Sequence, residues 1–122
     1  MTIKEVSKMY NLSPDTLRFY EKKGLIGPVK KTSGGIRDYE EDDLKRIEFI
    51  KCMRSAEISV IVLKEYVDLF SAGYETIKAR RELLEEQKHI LEDKIAKMQE
   101  AYEKLNKKID MYYSGELEKY LK

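Results

Sequence analysis

From residue 76 onward the apolar residues fall into strict heptads. Ile77, Leu84, Leu91, Met98, Leu105 and Tyr112 stand seven apart, and Ile95, Tyr102 and Ile109 fill the complementary positions. Alternating spacings of three and four place all nine on one side of a helix. A helix over 76–112 would run ~55 Å at ~1.5 Å per residue, longer than a small domain can cover. Its seam needs a partner, and the simplest partner is a second copy of the same chain. These nine residues are the expected dimerisation set. Arg81 and Lys88 interrupt the seam near its start, which marks where the helix would leave its dimer partner. The flanking charges Glu85, Glu92, Lys94 and Lys108 do not choose a strand direction. Ser114-Gly115 should then break the helix.

The charge content agrees with a long solvated helix: 39% of the residues are charged, against roughly 25% in a compact domain. The net charge of +1 conceals an asymmetry. Residues 1–37 carry eight basic residues (Lys4, Lys8, Arg18, Lys22, Lys23, Lys30, Lys31, Arg37) against three acids, whereas residues 75–122 carry eleven of each sign. The positive field is confined to the N-terminal segment, as expected if only that part meets phosphates.

That segment reads as two short helices. Thr2 with Glu5 has the form of a capping box, and Ile3, Val6 and Met9 recur at helical spacing until Asn11 closes the helix. Ser13-Pro14 restarts the chain as N-cap and first helical residue, and Gly24 supplies the stop. The pair makes a helix-turn-helix, whose second helix enters the major groove in DNA-binding proteins. Leu25 to Val29 and Ile36 to Tyr39, around Gly34-Gly35, read as two short extended pieces, a small β wing with Lys30 and Lys31 at its tip. A third helix is expected from about Glu40 to Asp43 onward, carrying Leu44, Ile47, Ile50 and Met53 inward. A fourth, capped by Ser59, should end at Ala72-Gly73. The expected architecture is all-α with a small β wing. A winged helix-turn-helix domain over 1–73 is followed by a coiled-coil dimerisation helix over 75–113 and a short tail over 114–122.

The segment Thr16-Leu17-Arg18-Phe19-Tyr20-Glu21-Lys22-Lys23-Gly24-Leu25-Ile26, followed by Gly35-Ile36-Arg37-Asp38-Tyr39, closely resembles the MerR family of bacterial transcription regulators. The resemblance covers the N-terminal domain, and the coiled coil has the length and place that the family leads one to expect. It implies an antiparallel coiled-coil dimer on double-stranded promoter DNA whose spacer is too long for RNA polymerase, with effector-triggered distortion realigning the promoter. It assigns Thr16, Arg18 and Tyr20 to the recognition helix, and Arg37 with Tyr39 to the wing. Guanidinium binds guanine or phosphate in bidentate fashion, and the hydroxyls reach phosphates. Lys30 and Lys31 add charge at the wing tip. Tyr20 and Tyr39 read equally well as core aromatics.

Metal-sensing relatives in this family use several cysteines or histidines, whereas this sequence has one of each, Cys52 and His89. Four Cys/His ligands for zinc are not available within one chain, and no metal or other cofactor is expected. Drug-sensing relatives carry a large further C-terminal domain, for which no length follows residue 122. The tracts Phe49-Ile50-Lys51-Cys52-Met53-Arg54 and Arg81-Glu82-Leu83-Leu84-Glu85-Glu86-Gln87 resemble the subgroup that responds to aldehydes and other thiol-reactive electrophiles. By that resemblance Cys52 is the sensing residue and a small electrophile a partner. Local charge does not decide the matter, because Lys51 and Arg54 oppose Glu48 beside the thiol, and a free cysteine also serves as a small apolar residue. Tyr66, Phe70, Tyr102, Tyr112, Tyr113 and Tyr120 read as core or seam, with an aromatic ligand pocket as the alternative.

No nucleophile–base pair, carboxylate dyad or phosphate loop stands in the sequence, so an enzyme is not expected. No apolar run reaches the ~18 residues of a membrane span. Met1 leads at once into a charged amphipathic segment, which reads as cytoplasmic without a leader. Two other readings remain. An architectural DNA-binding factor of the phage-excision kind can share the winged domain but usually stops after it. A coiled-coil adaptor would bind protein, with little of the salt dependence that phosphate binding brings.

Overall fold

A computed structural model of the chain describes residues 1–116. Helix α1 spans Ile3–Tyr10, α2 Pro14–Lys22, α3 Glu41–Ser55 and α4 Val60–Ser71, and a 3-10 turn at Tyr74–Thr76 leads into α5, Ile77–Ser114. The chain divides into two units, Met1–Leu83 and the residues from Leu84 on, so the division falls inside α5.

The helix ends follow local chemistry. The Thr2 hydroxyl accepts from the Glu5 N–H, and the Glu5 carboxylate accepts from the Thr2 N–H. The bond from the Thr2 N–H foremost, with the Thr2 side chain adding to it, holds the Glu5 carboxyl below the usual carboxylate range. Asn11 ends α1 in the left-handed region at φ 53. The Ser13 hydroxyl accepts from the Thr16 N–H at 3.0 Å, and Pro14 occupies the first turn of α2, where a missing N–H costs nothing. Helix α2 closes at Gly24, whose φ of 73 suits a residue without Cβ. Ser59 caps α4 through the Val62 N–H.

One core serves the first unit. Val6 of α1, Leu17 and Tyr20 of α2, Leu25, Ile26, Val29 and Tyr39 of the connecting segment, Ile47 and Ile50 of α3, Ile58, and Leu63 and Val67 of α4 are all buried together. Leu44 and Met53 pack against this cluster, whereas Ile61 is 81% exposed.

The expected β wing is absent: the described residues contain no β-strand, and the fold is all-α. Residues 27–40 form an irregular loop with one isolated antiparallel bridge between Lys31 and Arg37. Its turn is closed by Gly35 N–H to Thr32 carbonyl (2.9 Å), Thr32 N–H to Ile36 carbonyl (2.7 Å) and Asp38 N–H to Lys30 carbonyl (2.7 Å). The physical reason lies at both ends of each arm. Pro28 has no N–H to donate, and Val29 and Tyr39 turn into the core immediately beyond the bridge. Too little extended chain is left to propagate a ladder.

In the second unit, α5 carries its seam in the open. Ile95 (57%), Met98 (67%), Tyr102 (59%), Leu105 (63%), Ile109 (50%) and Tyr112 (68%) are exposed, and Leu91 is half-buried. Ion pairs four residues apart, Lys88–Glu92 and Glu100–Lys104, line the polar faces. Ile77 and Leu84, the seam positions nearest the division between units, are exposed as well. The tail residues 117–122, with Tyr120, lie outside the described residues.

Leu17 is fully buried between the helices that the core unites. Leu17→Ala is expected to cost about 2–5 kcal/mol, read as a lowered urea midpoint for the full chain.

Candidate nucleic-acid interface

The basic residues of the first 37 positions lie on α1, on α2 with Lys23 just after it, and on the 27–40 loop, and Leu17, Tyr20, Val29 and Tyr39 anchor α2 and the loop in the shared core. Thr16 stands at the start of α2, half-buried, its hydroxyl 2.8 Å from that of Ser13. Arg18 is exposed and its Nη1 donates to Asp15 Oδ1 at 3.0 Å. Lys30 is exposed and pairs with Glu40 at 3.6 Å. Lys31 is exposed at the bridge. Arg37 is half-buried, its Nε donating to Glu21 Oε1 at 3.0 Å.

The two tyrosines occupy different ground. Tyr20 is 6% and Tyr39 2% exposed. The Tyr39 hydroxyl is closed to solvent and has no hydrogen-bond partner among the described residues. Burial raises its pKa above the ordinary tyrosine value, and Arg37, Glu21, Arg18 and Asp43 all lie within electrostatic reach. The Met1 amino group donates to the Asp38 carboxylate and to the Tyr39 carbonyl, both at 2.9 Å, and so ties down the base of the loop.

Three cations of this surface thus face acids: Arg18 with Asp15, Lys30 with Glu40, Arg37 with Glu21. The first two pairs are exposed, the kind worth ~0–1 kcal/mol and readily exchanged for phosphate. In the third, Glu21 and Arg37 retain only 18% and 30% exposure. Sequence reasoning missed Glu21. The Asp15–Arg18 spacing of three is visible on a helix, but Glu21 and Arg37 stand sixteen apart on different elements.

Cys52 is a free, exposed cysteine on α3. Its carbonyl accepts from the Ser55 hydroxyl at 2.5 Å, and the neighbouring Lys51 ammonium donates to the Tyr10 carbonyl. An open cavity of about 350 Å³ lies between α3 and α4, lined by Asp42, Lys45, Arg46, Phe49, Tyr66 and Phe70 among others. The guanidinium groups of Arg46 and Arg80 stand 5.8 and 5.0 Å from the Phe70 ring centroid. Tyr66 and Phe70 of the aromatic set therefore border a cavity within the first unit, whereas Tyr102, Tyr112 and Tyr113 belong to the second. His89 is exposed on α5, and no cluster of three or more potential metal ligands occurs among the described residues. None of their helices is long and apolar enough to cross a membrane.

Residues 1–69 match the family described as MerR HTH family regulatory protein, and residues 44–108 match the family described as MerR, DNA binding. The chain belongs to the MerR family. It is a DNA-binding regulator of the MerR type, with a single exposed cysteine in α3. The HTH-type transcriptional regulator AdhR of Bacillus subtilis is 50% identical over 91 residues, which are 75% of this chain and 65% of AdhR. The match thus spans just under two thirds of that relative. A MerR family regulator from Listeria monocytogenes superimposes with a TM-score of 0.88 at 42% identity, covering 92% of this chain and 85% of the other. HiNmlR, a MerR family regulator lacking the sensor domain and bound to promoter DNA, superimposes with a TM-score of 0.83 at 26% identity, covering 93% and 90%.

The buried, unpartnered hydroxyl of Tyr39 makes a stability test. Tyr39→Phe deletes it without opening a cavity, so thermal stability should hold or rise, by about 1 kcal/mol at most. A clear fall in melting temperature would show that the hydroxyl has a partner in solution.

Proposed function

We propose that this chain is a homodimeric transcriptional regulator that holds promoter DNA with α2 and the 27–40 loop and pairs through α5. The observation that carries the reading is the joining of these two basic elements over one core, in a chain of the MerR family. Thr16, Arg18, Lys30, Lys31 and Arg37 are the proposed contacts. Tyr20 and Tyr39, both largely buried in the free protein, hold α2 and the loop in place beneath them. HiNmlR, of similar structure, is bound to promoter DNA.

Pairing through α5 is supported by the open heptad seam, most of whose apolar side chains are exposed. Two copies on one promoter place two recognition helices on successive turns of DNA. In this reading the regulator acts where the promoter spacer is too long for RNA polymerase, and it activates by distorting that DNA. The deformation energy is repaid by protein–DNA contacts.

The trigger in this reading is a small electrophile, such as an aldehyde, that reacts at Cys52. Three facts support it: Cys52 is the chain's one cysteine, it is exposed, and it is free. Similarity to AdhR, at 50% identity, covers the region that carries it.

The first test is binding of the purified protein to its own upstream intergenic DNA, with and without methylglyoxal, followed by transcription in vitro from that fragment. Specific binding with inducible transcription is expected. Cys52→Ser should bind the fragment as wild type does and lose the response to methylglyoxal; a variant that responds fully removes Cys52 from the mechanism. Ile95→Glu, which sets a charge in the open seam, should yield monomers in sedimentation. It should also weaken promoter binding by about ten-fold or more, because single half-sites then have to hold alone.

A further inference from the structure

The two elements proposed to meet DNA are not joined by a sheet. The 27–40 loop has one isolated bridge and a turn of its own, while α2 is a separate helix that ends at Lys22. Buried Val29 and Tyr39 fix the two ends of the loop. Between them the chain from Lys30 to Ile36 is exposed throughout. Glu21, in the last turn of α2, reaches across and accepts from Arg37.

We infer that Glu21 is a positioning residue for DNA binding, an acid that sets Arg37 and the loop at a fixed place beside α2. This rests on the reading of Arg37 as a DNA contact. The geometry favours a support over a competitor. Glu21 takes the Nε of the guanidinium, and a guanidinium has five N–H donors in a rigid fork. Engagement at Nε leaves the terminal nitrogens able to donate to a phosphate or a base edge. Arg18 differs: its partner Asp15 takes a terminal nitrogen, Nη1, on an exposed helix face. Partial burial also separates the two pairs, since Glu21 is only 18% exposed and Asp15 is 94% exposed. Glu21 is therefore shielded from the phosphates that it helps Arg37 to reach.

Charge alone and positioning predict opposite signs. Removing an acid from a surface that binds a polyanion should tighten binding, with Coulomb attraction rising by one unit. Loss of a support for Arg37 should weaken it. Glu21→Gln keeps the shape of the side chain and removes the charge. Its binding to the upstream intergenic DNA is expected to fall about ten-fold, and its salt slope to shrink by about one, as for Arg37→Ala. In the Arg37→Ala background the same change should have no effect or a slightly tightening one, which a general loss of fold would not produce. Glu21→Asp, which keeps the charge on a shorter stem, should recover part of the loss.

Tighter binding by Glu21→Gln, or an equal loss with and without Arg37, overturns the proposal. Wild-type affinity in Arg37→Ala would instead overturn the reading of the interface on which it rests. A matched melting temperature for Glu21→Gln confirms that the binding change is not unfolding. Should that variant melt early, Glu21→Asp and the Arg37→Ala double-mutant comparison carry the test at a temperature where each is folded.

Discussion

Burial of Tyr39 beside Leu25, Ile26 and Val29 joins pieces of chain that no backbone ladder connects. The loop between α2 and α3 has one bridge, and an irregular segment of that kind keeps its shape only if side chains anchor it at both ends. Val29 and Tyr39 are those anchors, set into the cluster that Leu17 and Ile47 fill from the flanking helices. The ring is held by packing, not by its hydroxyl, which the protein leaves buried and without a partner. The basic surface therefore takes its shape from apolar contacts beneath it. Exposed ion pairs, weak in water, set orientation on a frame that is already fixed.

The sequence made some of this plain and hid the rest for physical reasons. Thr2 with Glu5, Ser13 before Pro14 and Ser59 marked their helix starts because capping is local, satisfied within three residues. The heptads of α5 were equally readable, since a seam of one period needs no tertiary information. The arms of the loop misled. Alternating residues around Gly34-Gly35 look like a hairpin, yet whether a ladder forms depends on how soon Val29 and Tyr39 turn inward, and a one-dimensional pattern does not carry that. Tyrosine is ambiguous in the same way. An aromatic body with a polar tip suits both a core and a phosphate, and only the packing around Tyr20 and Tyr39 shows where the rings lie. Glu21 was illegible as a partner of Arg37 because the pair spans two elements.

The two units of the chain pose different physical problems. The first closes its core within about eighty residues and leaves charge outside. The second, in its described residues, is a helix whose apolar side chains at seven-residue intervals stand mostly exposed. A seam of that kind ties folding to concentration, because its burial requires a partner molecule. For a regulator that pairs in this way, the amount of protein in the cell would set occupancy twice, once for pairing and again for the operator.

Finally, the acids set against Arg18, Lys30 and Arg37 change how the surface looks from afar. Beyond the Debye length, roughly 8–10 Å at physiological salt, each couple presents a dipole and not a charge. Far from a polyanion the protein is close to neutral, in keeping with a net charge of +1. At contact, phosphates can take the place of Asp15 and Glu40 beside Arg18 and Lys30. Masking of Arg18, Lys30 and Arg37 lowers the pull of these three cations on any passing RNA or membrane and favours surfaces that fit closely enough to break the couples. Discrimination would then begin before any base is read.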